Sequence, residues 1–206
     1  MDRDRNHTNR RRSSRAAAEI AEEIQVMTAM VLLSDIDPTI ILDVRYATEN
    51  NFTGQVLYPV AKVYVQRVVA ERLADVQSHL RQEGCALKVF DGYRPLSIQK
   101  KMWEIVPDER YVADPRKGSR HNRGAAVDVT IVRAADGVEL DMGTPYDDFS
   151  EKSHTRYSDL PVEILRNRQL LADTMKRFDF LPFETEWWHF DYKEWGRFDI
   201  LDIPIE

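Results

Sequence analysis

Two short stretches, far apart in the sequence, together hold two imidazoles and two carboxylates. The first runs from Ser119 to Asp128 and includes His121, and the second is Glu186-Trp187-Trp188-His189. Three ligands drawn from His and Asp leave a fourth position on Zn²⁺ for water, whose pKa the metal lowers from about 15.7 to roughly 7. We therefore predict a catalytic zinc site with one Zn²⁺ per chain and the ligands His121, Asp128 and His189. Glu186, beside the water but not on the metal, is the predicted general base.

The fold must bring these two segments together, because neither has the helical H-E-x-x-H spacing that places two ligands one turn apart. Residues 127–132 are almost continuously apolar apart from Asp128 and Thr130, which is typical of a largely buried strand that carries one carboxylate. The aromatic content of 185–192 also favours a strand. Strict alternation would place Glu186 and His189 on opposite faces, so we expect a bulge or a strand end between them.

The motifs also resemble those of a known family. Ser-x-His-x-x-Gly-x-Ala-x-Asp followed far downstream by Glu-x-x-His is similar to the zinc peptidases that act on D-alanyl peptides of bacterial cell walls. Three further motifs narrow the resemblance to the D-alanyl-D-alanine dipeptidases of the VanX type. They are Asp91-Gly92-Tyr93-Arg94-Pro95, Arg45-Tyr46-Ala47-Thr48 and Asn51-Phe52-Thr53-Gly54. The similarity covers the chain from about Asp43 to Pro204.

This resemblance implies roles for four further residues. Arg94 would stabilise the oxyanion, whereas the residues alone favour a surface ion pair. Tyr46 would help to bind the amino end of a small dipeptide, and Ser119 would contribute to substrate binding. Asp147 would hold the free ammonium group, although Asp148 beside it is an alternative for that role. The implied reaction is hydrolysis of D-Ala-D-Ala to two D-alanines, which no spacing of residues could show.

Helical and strand patterns alternate along the chain. Apolar residues recur at helical spacing from Val65 to Leu80, with Gly84 placed for a C-terminal cap, and a short apolar strand follows at 85–90. Asp159 and Pro161 are predicted to begin a second long helix that ends near Phe178. The sum is an α+β domain with a mainly antiparallel sheet covered by helices. The resemblance implies the fold shared by hedgehog domains and D-Ala-D-Ala peptidases.

Composition limits the classes of function. The chain has 206 residues, of which 43% are hydrophobic, enough for a sizeable core, and its formal net charge of −6 gives no reason to expect nucleic acid as a partner. One cysteine, Cys85, excludes an intrachain disulfide and a multi-cysteine zinc cluster. We interpret it as a small buried hydrophobe.

The N-terminal segment differs from the rest of the chain. Residues 1–15 contain six arginines and two aspartates, which is typical of a solvated, disordered tail, and residues 16–33 have helical periodicity. We therefore divide the chain into a charged, partly disordered extension at 1–34 with a possible helix, and a zinc dipeptidase domain at 35–206. Glutamates interrupt the apolar stretch, so it does not match a signal peptide or a membrane span. A cytoplasmic protein without a membrane partner is expected, while its oligomeric state stays open.

Two alternatives to a dipeptidase remain. One is a carboxypeptidase or endolysin that acts on longer wall peptides, although Asp147 favours a substrate with a free amino terminus. The other is a non-catalytic zinc-binding module, as in hedgehog signalling domains, although the presence of Glu186 and Arg94 counts against it.

Overall fold

A five-stranded sheet forms the centre of the computed structural model, which describes residues 30–206. The strand order is β2-β4-β5-β7-β6, and β1 and β3 form a separate antiparallel pair. Only the β2–β4 pairing in the larger sheet is parallel. The strands are β1 (Met30–Leu32), β2 (Ile41–Leu42), β3 (Tyr64–Gln66), β4 (Cys85–Asp91), β5 (Ala126–Arg133), β6 (Phe180–Pro182) and β7 (His189–Tyr192). The mainly antiparallel α+β architecture predicted from the sequence is confirmed.

Four α-helices accompany the strands within residues 30–206. They are α1 (Leu33–Ile36), α2 (Arg67–Gln82), α3 (Leu96–Ile105) and α4 (Val162–Arg177). The apolar stripe of α2 is buried, as its spacing predicted, and packs on β4. Val65, at the start of the predicted helix, instead lies in β3. Gly84 follows α2 with φ +72°, the left-handed conformation that a C-terminal cap requires and that glycine adopts without strain. At the start of α4, Pro161 rather than Asp159 occupies the N-cap.

The register of the central strands positions the chemistry. Asp128 on β5 lies opposite His189 on β7 and opposite Asp91 on β4. A register shift between Val89 and Asp91 bends the end of β4 and leads directly into the Arg94 loop. Three residues that are remote in sequence therefore form one row across the sheet.

The end of the predicted N-terminal helix is a strand in the structure. Residues 16–29 lie outside the described residues, but Met30–Leu32 form β1, which pairs antiparallel with β3. The helical periodicity of that short stretch was misleading because strand pairing in the tertiary structure outweighs a weak local propensity. The division between extension and domain near residue 34 stays a prediction. Within residues 30–206, every helix falls short of the length and apolar character that a bilayer span requires.

Candidate active site

Three side chains from β5, β7 and the turn before β5 point one atom each at a common centre. Nε2 of His121 lies 3.1 Å from Nδ1 of His189, and that nitrogen lies 3.1 Å from Oδ1 of Asp128. The third side of the triangle, from His121 Nε2 to Asp128 Oδ1, is 3.4 Å. Ligand bonds of about 2.0–2.2 Å in a tetrahedral site separate neighbouring ligand atoms by roughly 3.3 Å. The three residues that the sequence indicated thus fit a zinc ion in both donor type and spacing.

The second nitrogen of each imidazole is held by a neighbour. Nδ1 of His121 lies 2.7 Å from the carbonyl oxygen of Gly92, and Nε2 of His189 lies 2.9 Å from Oδ1 of Asp191. Metal-binding histidines usually donate the other ring N–H to a carbonyl or a carboxylate, which fixes tautomer and ring orientation. Sequence reasoning missed Asp191, although its position two residues after His189 on the same strand face was a usable signal.

Burial and neighbouring charges act in opposite directions on these groups. Burial alone would lower the pKa of His189, but the carboxylates of Asp191 and Asp128 hold it well above its usual value. Burial would raise the pKa of Asp128, but the imidazoles of His121 and His189 hold it well below its usual value. Because a metal binds the neutral imidazole and the ionised carboxylate, the affinity of this cluster for a metal would depend on pH.

Glu186 lies in the turn immediately before β7. The strand begins at His189, whereas the aromatic content had predicted a start at residue 185. The strand end that we expected between the two residues is therefore present. Oε2 of Glu186 lies 3.7 Å from Nδ1 of His189, near the metal-binding triangle but beyond hydrogen-bonding distance. Burial raises the pKa of this carboxyl to about 8. The carboxylate of Glu186 thus lies next to the three candidate ligand atoms rather than among them.

Arg94 follows β4 and is only 8% exposed. Its Nε and Nη2 donate to Oδ2 of Asp91 at 3.1 and 2.8 Å, and its Nη1 donates to Oε1 of Gln99 at 3.0 Å. The expectation of a surface ion pair is therefore wrong, because this pair is buried. A guanidinium has five N–H groups, and these three contacts leave two of them unused. The side chain is rigidly held and still has donors available to a ligand.

Asp147 rather than Asp148 faces the cavity. Its Oδ1 accepts from the Tyr46 hydroxyl at 3.2 Å and its Oδ2 accepts from the Phe52 amide at 3.4 Å. Its φ of +62° is a left-handed conformation that is uncommon outside glycine, and such strain concentrates at functional sites. Burial, followed by the charge of Asp128, raises its pKa to about 7. Asp148 instead accepts from the Ser150 amide.

Ser119 and Asn122 hold the loop that carries His121. Oγ of Ser119 accepts from the His121 amide at 3.2 Å, while the Ser119 amide donates to Oδ1 of Asn122 at 2.7 Å. Nδ2 of Asn122 donates to the Arg94 carbonyl at 2.8 Å. No local pattern predicted a role for Asn122, but this fully buried amide joins the His121 and Arg94 segments.

All eight residues singled out from the sequence line one cavity of about 210 Å³. This volume is below the roughly 300–1,000 Å³ of sites for drug-sized ligands. Aromatic rings form much of the remaining wall, namely those of Phe52, Tyr111, Phe149, Phe183 and Trp188. Two histidines among residues 30–206 lie outside the site: His79 packs against Phe178, and His154 lies in a loop whose backbone accepts from Arg168. A small, aromatic-walled cavity with a metal-binding corner and a separate carboxylate suits a small polar substrate.

Comparison with known proteins identifies the family. A family model described as D-ala-D-ala dipeptidase, of the M15 peptidases, matches residues 27–200. The chain is 34% identical over 174 residues to a D-alanyl-D-alanine dipeptidase of Escherichia coli K12, covering 84% of this chain and 90% of the relative. It is 31% identical over 190 residues to a D-alanyl-D-alanine dipeptidase of Streptomyces coelicolor, covering 79% of this chain and 91% of that relative.

Among solved structures, VanYB in complex with D-alanine-D-alanine aligns over 65% of this chain and 74% of its own, with 18% identity and a TM-score of 0.43. A TM-score in that range does not establish a common fold. The family match rests instead on the sequence comparisons, which span most of both chains. The chain therefore belongs to the D-alanyl-D-alanine dipeptidase family.

Proposed function

We propose that this protein is a zinc-dependent dipeptidase that hydrolyses free D-Ala-D-Ala to two molecules of D-alanine. One observation carries the proposal: the triangle of His121, Asp128 and His189 shares a small cavity with Glu186 and with the buried carboxylate of Asp147. The relatives named D-alanyl-D-alanine dipeptidase support the same substrate. A cytoplasmic location stays a prediction, and the oligomeric state stays open.

The metal would be held through Nε2 of His121, Nδ1 of His189 and Oδ1 of Asp128. A Zn²⁺ ion bound there supplies a Lewis acid that acidifies water and polarises the scissile carbonyl. Gly92 and Asp191 keep both imidazoles in the orientation that this binding requires.

Glu186 would accept the proton of the attacking water and then donate it to the leaving amine. Its carboxylate lies beside the triangle without belonging to it. A carboxyl with a pKa above its ordinary range both accepts and releases a proton near neutral pH, which is what a general base that becomes a general acid must do.

Arg94 would donate its free N–H groups to the carbonyl oxygen as negative charge develops there. Its contacts with Asp91 and Gln99 fix the guanidinium before the substrate binds. A donor that is already oriented needs no reorganisation during the reaction, and this preorganisation is the main source of electrostatic stabilisation.

Asp147 would bind the ammonium group of the dipeptide, assisted by Tyr46. Because Asp147 is buried and held by two donors, a cationic partner gives it the compensation that a buried carboxylate needs. Ser119 lines the same cavity and would contribute to substrate binding at its rim. A carboxylate in this position favours a free dipeptide over a longer wall peptide, whose corresponding nitrogen is an uncharged amide.

The test is release of alanine by the zinc-loaded protein from three substrates: D-Ala-D-Ala, L-Ala-L-Ala and N-acetyl-D-Ala-D-Ala. Cleavage of only the free D,D-dipeptide is expected. Preferential cleavage of the acetylated substrate would indicate the carboxypeptidase alternative. Stoichiometric zinc without cleavage of any of the three would favour the non-catalytic module.

A further inference from the structure

Two tyrosine hydroxyls connect the metal-binding corner of the cavity with the Asp147 carboxylate. The Tyr146 hydroxyl donates to Oδ2 of Asp128 at 2.9 Å and lies 3.2 Å from the Tyr46 hydroxyl. The Tyr46 hydroxyl in turn lies 3.2 Å from Oδ1 of Asp147. Tyr146 thus occupies the central position of a chain that runs from one carboxylate to the other.

Packing fixes this chain in place. Tyr46 and Tyr146 are 2% and 9% exposed. The Tyr146 ring stacks on Phe90 at 4.6 Å and meets Trp188 edge to face at 5.5 Å. Because the ring cannot swing away, its hydroxyl keeps Oδ2 of Asp128 engaged while Oδ1 faces the two imidazoles. The carboxylate of Asp128 is thereby oriented to bind a metal through a single oxygen.

A count of protons shows how the substrate would act on this chain. Two hydroxyls supply two protons, but the chain has three contacts and an acceptor at each end when both carboxylates are ionised. One contact therefore lacks a donor. An ammonium group that donates to Asp147 would replace the Tyr46 hydroxyl as its donor and free that hydroxyl to donate to Tyr146. Each contact that remains would then have a donor.

We propose that Tyr146 is a positioning residue: its hydroxyl holds Asp128 in its metal-binding orientation and, through Tyr46, links that carboxylate to the subsite for the substrate's ammonium group. This inference rests on the proposed function, because it assigns the ammonium subsite and the metal. It goes beyond that function in giving one hydroxyl an effect on both ends of the site.

The first test is Tyr146→Phe, which keeps the packed ring and removes only the hydroxyl. Zinc affinity, measured by chelator competition without substrate, is expected to fall roughly 10- to 100-fold, as for other partners of metal ligands. At saturating zinc, KM for D-Ala-D-Ala is expected to rise about threefold or more, while kcat changes less than KM. Circular dichroism and the thermal midpoint establish that the variant is folded.

Two further variants separate the halves of the chain. Tyr46→Phe breaks only the connection to Asp147, so it is expected to raise KM while zinc affinity stays within about twofold of the wild type. Tyr64→Phe is the matched control, because it also removes a tyrosine hydroxyl, but one that donates to the backbone oxygen of Glu206. Both zinc affinity and KM should be unchanged in Tyr64→Phe. If Tyr146→Phe fails to fold, Tyr146→Leu offers a smaller apolar replacement without the hydroxyl.

The outcomes are separable. Unchanged zinc affinity in a folded Tyr146 variant, or an unchanged KM at saturating zinc, overturns the inference. Equal losses of zinc affinity in the Tyr146 variant and in Tyr64→Phe would show a general effect of losing a hydroxyl and would also overturn it. A wild-type protein that binds zinc but cleaves no D-Ala-D-Ala refutes the proposed function instead, and the zinc measurement still tests the role of Tyr146 at the metal.

Discussion

Replacing Glu186 by glutamine tests the proposed base most directly. Gln keeps the shape of the side chain but cannot accept a proton from water at neutral pH. In the wild-type protein Oε2 of Glu186 is 3.7 Å from Nδ1 of His189. It lies outside the triangle of candidate ligand atoms from His121, Asp128 and His189. The variant should therefore bind zinc with an affinity within about threefold of the wild type.

The expected loss of activity follows from what surrounds Glu186. A positioned general base contributes typically about 10²- to 10⁴-fold in rate, which corresponds to roughly 2.7–5.4 kcal/mol in activation free energy. The carboxylates of Asp128 and Asp147 line the same cavity, and both are already engaged. Asp128 contacts His189 and Tyr146, and Asp147 accepts a hydrogen bond from Tyr46. No substitute base is thus at hand among these neighbours, and we expect kcat to fall by about 10³-fold or more.

The assay is steady-state release of D-alanine, with zinc content measured on the same samples. Glu184→Gln is the matched control, because it makes the same chemical change at an exposed position two residues away, and it should retain wild-type kcat. A kcat for Glu186→Gln within tenfold of the wild type, with zinc bound, would refute the assignment of Glu186 as the base. Loss of zinc from this variant would instead show that Glu186 is a ligand.

Three further predictions concern the metal, pH and stability. His189→Ala should lose zinc on dialysis because it removes one of three ligands, and a normal metal content would exclude His189 from the ligand set. In the metal-free protein the pKa of Glu186 is raised from 4.5 to about 8, so the unfolded chain releases this proton first and stability falls as pH rises through that range. Glu186→Gln should therefore raise the thermal midpoint more at pH 8 than at pH 5, whereas equal shifts would contradict this reasoning. Arg94→Ala leaves Asp91, which is 1% exposed, without its cationic partner and should cost about 3–5 kcal/mol in urea unfolding. A loss below about 1 kcal/mol would mean that Asp91 finds another partner.

The site shows which features local sequence patterns can predict. The buried strand around Asp128 follows from an apolar run, and the strand end between Glu186 and His189 follows from the period of two. The cap at Gly84 follows from the conformational freedom of glycine. Each of these depends on a few consecutive residues, so the sequence contains all the information that the prediction needs.

Other features depend on pairings between remote segments. Met30–Leu32 has helical periodicity but forms a strand because β3 is available as a partner. Arg94 is buried, rather than on the surface, because the end of β4 turns toward β5 and supplies Asp91. The tyrosine chain through Tyr146 joins residues about a hundred positions apart, which no local pattern reports.

The sequence by itself determined which residue types are present for zinc chemistry, the family, and the mainly antiparallel α+β architecture. Only the tertiary structure decided that His121, Asp128 and His189 meet, that Asp147 rather than Asp148 faces them, and that Tyr146 lies between. The physical reason is that strand register sets these distances. The hydrogen bonds that fix register form between segments whose separation in sequence carries no information about their separation in space.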